Sequence, residues 1–133
     1  MVFIEVEGDP PNKQQAAYKR KVEPLKEALV KAREDSLNSV IISDPVSIEV
    51  NLYTTNLRYV REGHDNTYIG DLDNLLSGIL DVLEGIIINN DSQVKSIVAV
   101  KNVIEEEVDT RYTVSIIKAT EKVKWWKKII GAL

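Results

Sequence analysis

The chain has 133 residues, 44% apolar and 29% charged, which predicts one soluble globular domain with a modest core. It has no cysteine, so disulfides and thiolate metal sites are excluded. The net charge of −4 argues mildly against a nucleic-acid binder, because phosphate contacts need Lys and Arg. No apolar run approaches the roughly 20 residues of a membrane span, and the opening MVFIEVEGD lacks the basic flank of a signal peptide; a cytoplasmic protein is expected.

In chain order, Val2, Ile4 and Val6 alternate with Phe3, Glu5 and Glu7 and predict a strand over 2–7. Gly8-Asp9-Pro10-Pro11-Asn12 reads as a loop, since neither proline can donate to a ladder. Residues 13–23 are polar and helix-prone. Pro24 either opens a fresh helix or kinks a longer one, and Leu25, Ala28, Leu29 and Ala32 share one helical face, giving a helix over 24–35. Val46, Ile48, Val50 and Leu52 alternate with Ser47, Glu49, Asn51 and Tyr53, the pattern of a half-buried strand. Residues 54–70 have no steady period and read as a long loop with a possible short strand at Leu57–Arg61.

Leu72, Leu75, Leu76, Ile79, Leu80 and Leu83 form a strong helical stripe that ends naturally at Gly85. Ile86 to Ile88 read as a brief buried strand, Asn89-Asn90-Asp91 as a turn, and 93–103 as a strand. A charged hairpin turn near Glu106 leads to a last strand over 111–118. The tail TEKVKWWKKIIGAL fits an amphipathic helix, 121–133, after a folded domain over 1–120. The expected class is α/β (α+β), a small mixed sheet with helices packed against it.

Asp71 and Asp73 stand at the start of the second strong helix, and Asp91 follows the next apolar run. An acid at a helix start ordinarily caps orphan N–H groups or faces the positive dipole end. Three details point beyond capping. Asp71, Asp73 and Asn74 are more acceptors than one helix end needs. A returning strand at 86–88 would carry Asp91 back beside Asp71 and Asp73. Ser92 and Gln93 add further oxygen groups near the same point. Hard cations such as Mg²⁺ take one or two carboxylates together with waters and substrate phosphates.

The run Asp71-Leu72-Asp73-Asn74-Leu75-Leu76-Ser77, then Asp81-Val82-Leu83, then Asn90-Asp91-Ser92-Gln93-Val94, resembles the RusA family of Holliday junction resolvases, whose pattern is roughly D-x-D-N-h-x-K, D-x-L and D-D-x-Q-h. The order of strand, PPN and helix near the N-terminus is also similar. The resemblance implies a small dimeric endodeoxyribonuclease that cuts four-way DNA junctions with Mg²⁺, for which Mn²⁺ may substitute. It implies that Asp71, Asp73 and Asp91 are the catalytic and metal-holding acids, supported by Asn74, Ser77 and Asn90. Ser77 stands where the family has lysine, and Asn90 where it has the first acid of its pair. Asp81, further along the same helix, is read as a packing or site-edge residue.

Phosphodiester hydrolysis by such a site needs an activated water and relief of charge on the phosphoryl oxygens. A two-fold dimer would offer two sites to a junction of the same symmetry. Lys13, Lys19, Arg20 and Lys21, with Arg58 and Arg61 in the long loop, are candidates for contacts to the phosphates of branched DNA. His64 reads as an exposed loop residue, with proton shuttling as the alternative. Trp125 and Trp126, flanked by lysines, fit a helix packed on its own core, a docking or base-stacking element, or a membrane-surface helix. Two alternatives stand beside the nuclease: a catalytically weakened junction-binding module, and a small interaction domain whose acids only cap a helix.

Overall fold

The computed structural model describes residues 1–55 and 71–119. The possible strand at Leu57–Arg61, Arg58, Arg61, His64 and the tail with Trp125 and Trp126 lie outside the described residues.

Four strands form one mixed sheet: β1 (Val2–Glu7), β2 (Val46–Thr55), β3 (Val94–Ile104) and β4 (Arg111–Lys118), in spatial order β1-β4-β2-β3. Two helices of the described residues, α1 (Tyr18–Leu37) and α2 (Leu72–Leu83), cover one face of it. β4 pairs antiparallel with both β1 and β2, and β3 runs parallel to β2. The period-2 pattern sets which face is buried. Val2, Ile4 and Val6 of β1, Val46, Ile48, Val50 and Leu52 of β2, and Tyr112, Val114 and Ile116 of β4 all turn into the core. On the other face Phe3, Val98 and Val100 are exposed, whereas Ser47 and Thr113 are buried.

α1 packs over β1 and against α2, and α2 reaches β3. Leu25 and Leu29 of α1 meet Leu75, Ile79, Val82 and Leu83 of α2 in a single core with the strands. Full burial of each such side chain is worth about 1.5–3 kcal/mol. Pro24 neither opens nor ends α1. It lies inside one continuous helix, on the exposed side, where its missing N–H leaves only the Arg20 carbonyl unpaired within the helix. α1 ends at Asn38 in the left-handed region (φ 51°), with the Asn38 N–H closing on the Arg33 carbonyl.

Two expectations are corrected. Ile86 to Ile88 do not form a strand of the sheet. The N–H groups of Ile87 and Ile88 fold back onto the Leu83 carbonyl at 3.0 and 3.3 Å, and only isolated bridges link Ile88 to Ile42 and Glu84. Ile87 and Ile88 are instead buried plugs under the end of α2, in a turn made possible by Gly85 at φ +82°. Nor are β3 and β4 a hairpin, because β2 lies between them. The α2 crossover delivers β3 parallel to β2 on its far side, and β4 then fills the remaining edge of β2.

One close approach ties the loop before α1 to α2. A Cβ built on Gly78 would meet the Pro11 carbonyl oxygen at 2.2 Å, so the helix and the PPN loop touch backbone to backbone. Pro10, Pro11 and Asn12 are all buried there.

Candidate functional site

Asp71 occupies the N-cap position of α2 with extended backbone (φ −80°, ψ 150°), and its carbonyl accepts the Leu75 N–H at 3.1 Å. Its carboxylate makes no capping hydrogen bond to the helix. Capping therefore does not explain this side chain. Asp73 lies in the first turn of α2, exposed like Asp71, with Asn74 and Ser77 half-buried behind it. Two carboxylates one residue apart repel, and the partial positive charge of a helix N-terminus offsets part of that repulsion.

Asp91 opens a single 3-10 turn, Asp91–Gln93, that leads into β3. Asn90 caps it, its side-chain oxygen accepting the Ser92 N–H at 2.8 Å. The amide of Asn90 thus does what a carboxylate would do at an N-cap, which accounts for Asn in a position where charge is not needed for the turn. The Gln93 side-chain oxygen accepts the N–H groups of Asn89 and Asn90 at 2.8 and 2.9 Å. Its amide nitrogen donates to the Ile42 and Asp44 carbonyls at 2.8 and 3.0 Å. The Asn89 amide also donates to the Ser43 hydroxyl at 3.1 Å. The Asp91 N–H donates to a Glu84 carboxylate oxygen at 2.8 Å.

These bonds fix where Asp91 stands. Glu84 follows the last residue of α2, and a 12-residue helix is about 18 Å long. Asp71 and Asp73 are at one end of α2, and the backbone of Asp91 is at the other. The expectation that one chain brings all three together is corrected: among the described residues, which include all three acids, no three acidic or histidine side chains form a metal-binding group. The physical reason is the compact turn after α2. A returning strand at 86–88 would have run back along the helix; the fold-back onto Leu83 keeps the chain at its C-terminal end.

The basic candidates divide. Lys13 forms an ion pair with Asp81, and that hydrogen bond is the main cause of a lysine pKa raised above its ordinary value. This gives Asp81 a partner on the PPN loop side. Lys21 pairs with Asp9 at 3.1 Å and donates to the Gln15 side chain at 2.8 Å. Lys19 and Arg20 are exposed on the first turn of α1. Lys19 borders a groove of about 520 Å³ between α1 and the end of α2, walled by Tyr18, Val22, Glu23, Val82 and Ile86.

Sequence reasoning missed Glu84 as a neighbour of Asp91, and nothing in the sequence around it signals that contact. It also missed the structural part of Gln93. That signal was present: Asn90-x-x-Gln93 is a capping-box spacing, and the box is formed.

No helix among the described residues is long and apolar enough to cross a membrane. No curated protein matches the chain. The family model described as Endodeoxyribonuclease RusA matches residues 8–117, from the loop after β1 through almost all of β4, and so takes in α2 with both its acids and the Asp91 turn. The chain belongs to the RusA endodeoxyribonuclease family.

Proposed function

We propose that this protein is a Mg²⁺-dependent endonuclease that resolves four-way DNA junctions in recombination and repair, and that it works as a two-fold dimer. The observation that carries the reading is the family match over α2 and the Asp91 turn, joined to the solvent-facing position of Asp71, Asp73 and Asp91. The donor set suits the ion: three carboxylates, all oxygen and all exposed. Asp71 and Asp73 of one protomer and the partner's Asp91 would hold it, since one chain keeps these groups at opposite ends of α2. When bound, Mg²⁺ lowers the pKa of an attacking water and neutralises charge on the phosphoryl oxygens.

The chain's own residues supply the rest. The N-terminus of α2 adds positive potential where the scissile phosphate would lie. The family resemblance assigns Asn74, the next residue in the helix, a supporting part in the site. Lys19 and Arg20 face solvent and suit backbone phosphates, which fix register without reading sequence. Ser77, in place of lysine, offers a hydroxyl and no charge.

The test is cleavage of a labelled four-way junction with Mg²⁺ by the wild-type chain and by Asp73→Asn. The expected result is paired nicks from the wild type and a loss on the order of 100-fold or more in the variant. Equal cutting by both discards the reading. Junction binding without cutting by the wild type favours the weakened binding module instead.

A further inference from the structure

Gln93 carries no charge and no nucleophile, yet each of its polar atoms is used. A carboxamide has two donor hydrogens and two acceptor lone pairs. Here two backbone N–H groups, of Asn89 and Asn90, face its oxygen, and two carbonyls, of Ile42 and Asp44, face its nitrogen. The orientation is therefore unique: rotating the amide by half a turn sets oxygen against two carbonyls and nitrogen against two N–H groups. A glutamate would keep both acceptances and turn both donations into repulsions. Only a neutral amide of this length joins the two segments.

Those segments are separated by more than forty residues. One, Ile42 to Asp44, leads directly into β2, an internal strand that pairs on both sides. The other is the turn that presents Asp91. The clamp grips the turn at the residue immediately before Asp91 and leaves the Asp91 side chain facing solvent.

We propose that Gln93 is a positioning residue: it locks the Asp91 carboxylate to the frame of the sheet so that the acid is aimed before any ion arrives. This rests on the reading of Asp91 as a metal-holding acid. Groups that orient a ligand without touching the ion typically change metal affinity 10- to 100-fold when removed.

The experiment titrates Mn²⁺ into the full-length protein, followed by electron paramagnetic resonance, for wild type, Gln93→Ala, Gln93→Glu and Asp91→Asn. Amide hydrogen exchange at Asn89 and Asn90 is measured without metal. Gln93→Ala should bind Mn²⁺ about 10- to 100-fold more weakly. Exchange at both amides should accelerate, and four-way junction binding in chelator should be unchanged. Gln93→Glu should protect the two amides like wild type and still weaken Mn²⁺ binding. Should Gln93→Ala fail to fold, Gln93→Met fills the space without hydrogen bonds and takes its place. Wild-type Mn²⁺ affinity in Gln93→Ala or its replacement, whatever the exchange rates, overturns the proposal and leaves Gln93 a fold residue. Wild-type affinity in Asp91→Asn, or no Mn²⁺ uptake by the wild type, overturns the Asp91 reading itself, and the two failures are thereby distinct.

Discussion

The Asp91 N–H and the Glu84 carboxylate are 2.8 Å apart, which ties the third acid to the end of α2 opposite the first two. On the proposed reading, a site that uses all three would draw on a pair of chains. Mixing Asp73→Asn and Asp91→Asn chains separates the arrangements. If each site draws Asp91 from the partner, a mixed dimer holds one undamaged site and one doubly damaged site. It should nick a junction once and fail to resolve it. Within one chain, every site in the mixture would carry a lesion, and no nicking should return. Gel analysis under denaturing conditions reads the difference.

Junction affinity should depend unequally on the basic residues at the start of α1. Lys19 and Arg20 are exposed, whereas Lys13 and Lys21 are already paired with Asp81 and Asp9. Lys19→Ala and Arg20→Ala should each reduce the slope of log affinity against log salt by about 1. Lys13→Ala and Lys21→Ala should reduce it less. Fluorescence anisotropy with a four-way junction in chelator checks both.

Gly78→Ala should destabilise the protein while leaving its chemistry in place. The new methyl would collide with the Pro11 carbonyl, a backbone atom that cannot swing away. Overpacking of this kind costs about 1–3 kcal/mol. A thermal melt should show the midpoint falling by several degrees.

Tyr112 is fully buried, and among the described residues its hydroxyl has no hydrogen-bond partner. Burial raises its pKa above the ordinary 10.0. The unfolded chain therefore gives up this proton first, and the folded chain later. Stability from this group is complete below pH 10 and is lost as pH rises toward the folded value, by at most about 1.4 kcal/mol per pH unit. Tyr112→Phe should be at least as stable near neutrality, by up to about 1 kcal/mol, because an unsatisfied hydroxyl is removed. Above pH 10 its advantage should widen. Urea unfolding at the two conditions measures it.

What the sequence made legible was local. Strict alternation in Val2 to Val6 and in Val46 to Leu52 gave strands and their inward faces, and the stripe from Leu72 to Leu83 gave α2 at its observed bounds. The failures were questions of distance. An apolar triplet such as Ile86-Ile87-Ile88 suits a strand and a buried turn equally well, and only main-chain bonds to Leu83 chose the turn. That one choice also decides how far Asp91 lies from Asp71. Likewise, nothing between Glu105 and Asp109 reveals that β2 intervenes between β3 and β4. The separation of Asp91 from Asp71 and Asp73 depended on tertiary structure, which the motif does not carry.

Among the described residues, the edge strand β1 pairs with β4 alone, the last of the four described strands in chain order. Val2 and Ile4, destined for the interior, must therefore wait until the β4 residues that pair with their strand have been made. The pairing of β1 with β4 is a high-separation contact that slows folding. A nascent chain arrested before residue 111 should remain sensitive to protease throughout its first strand.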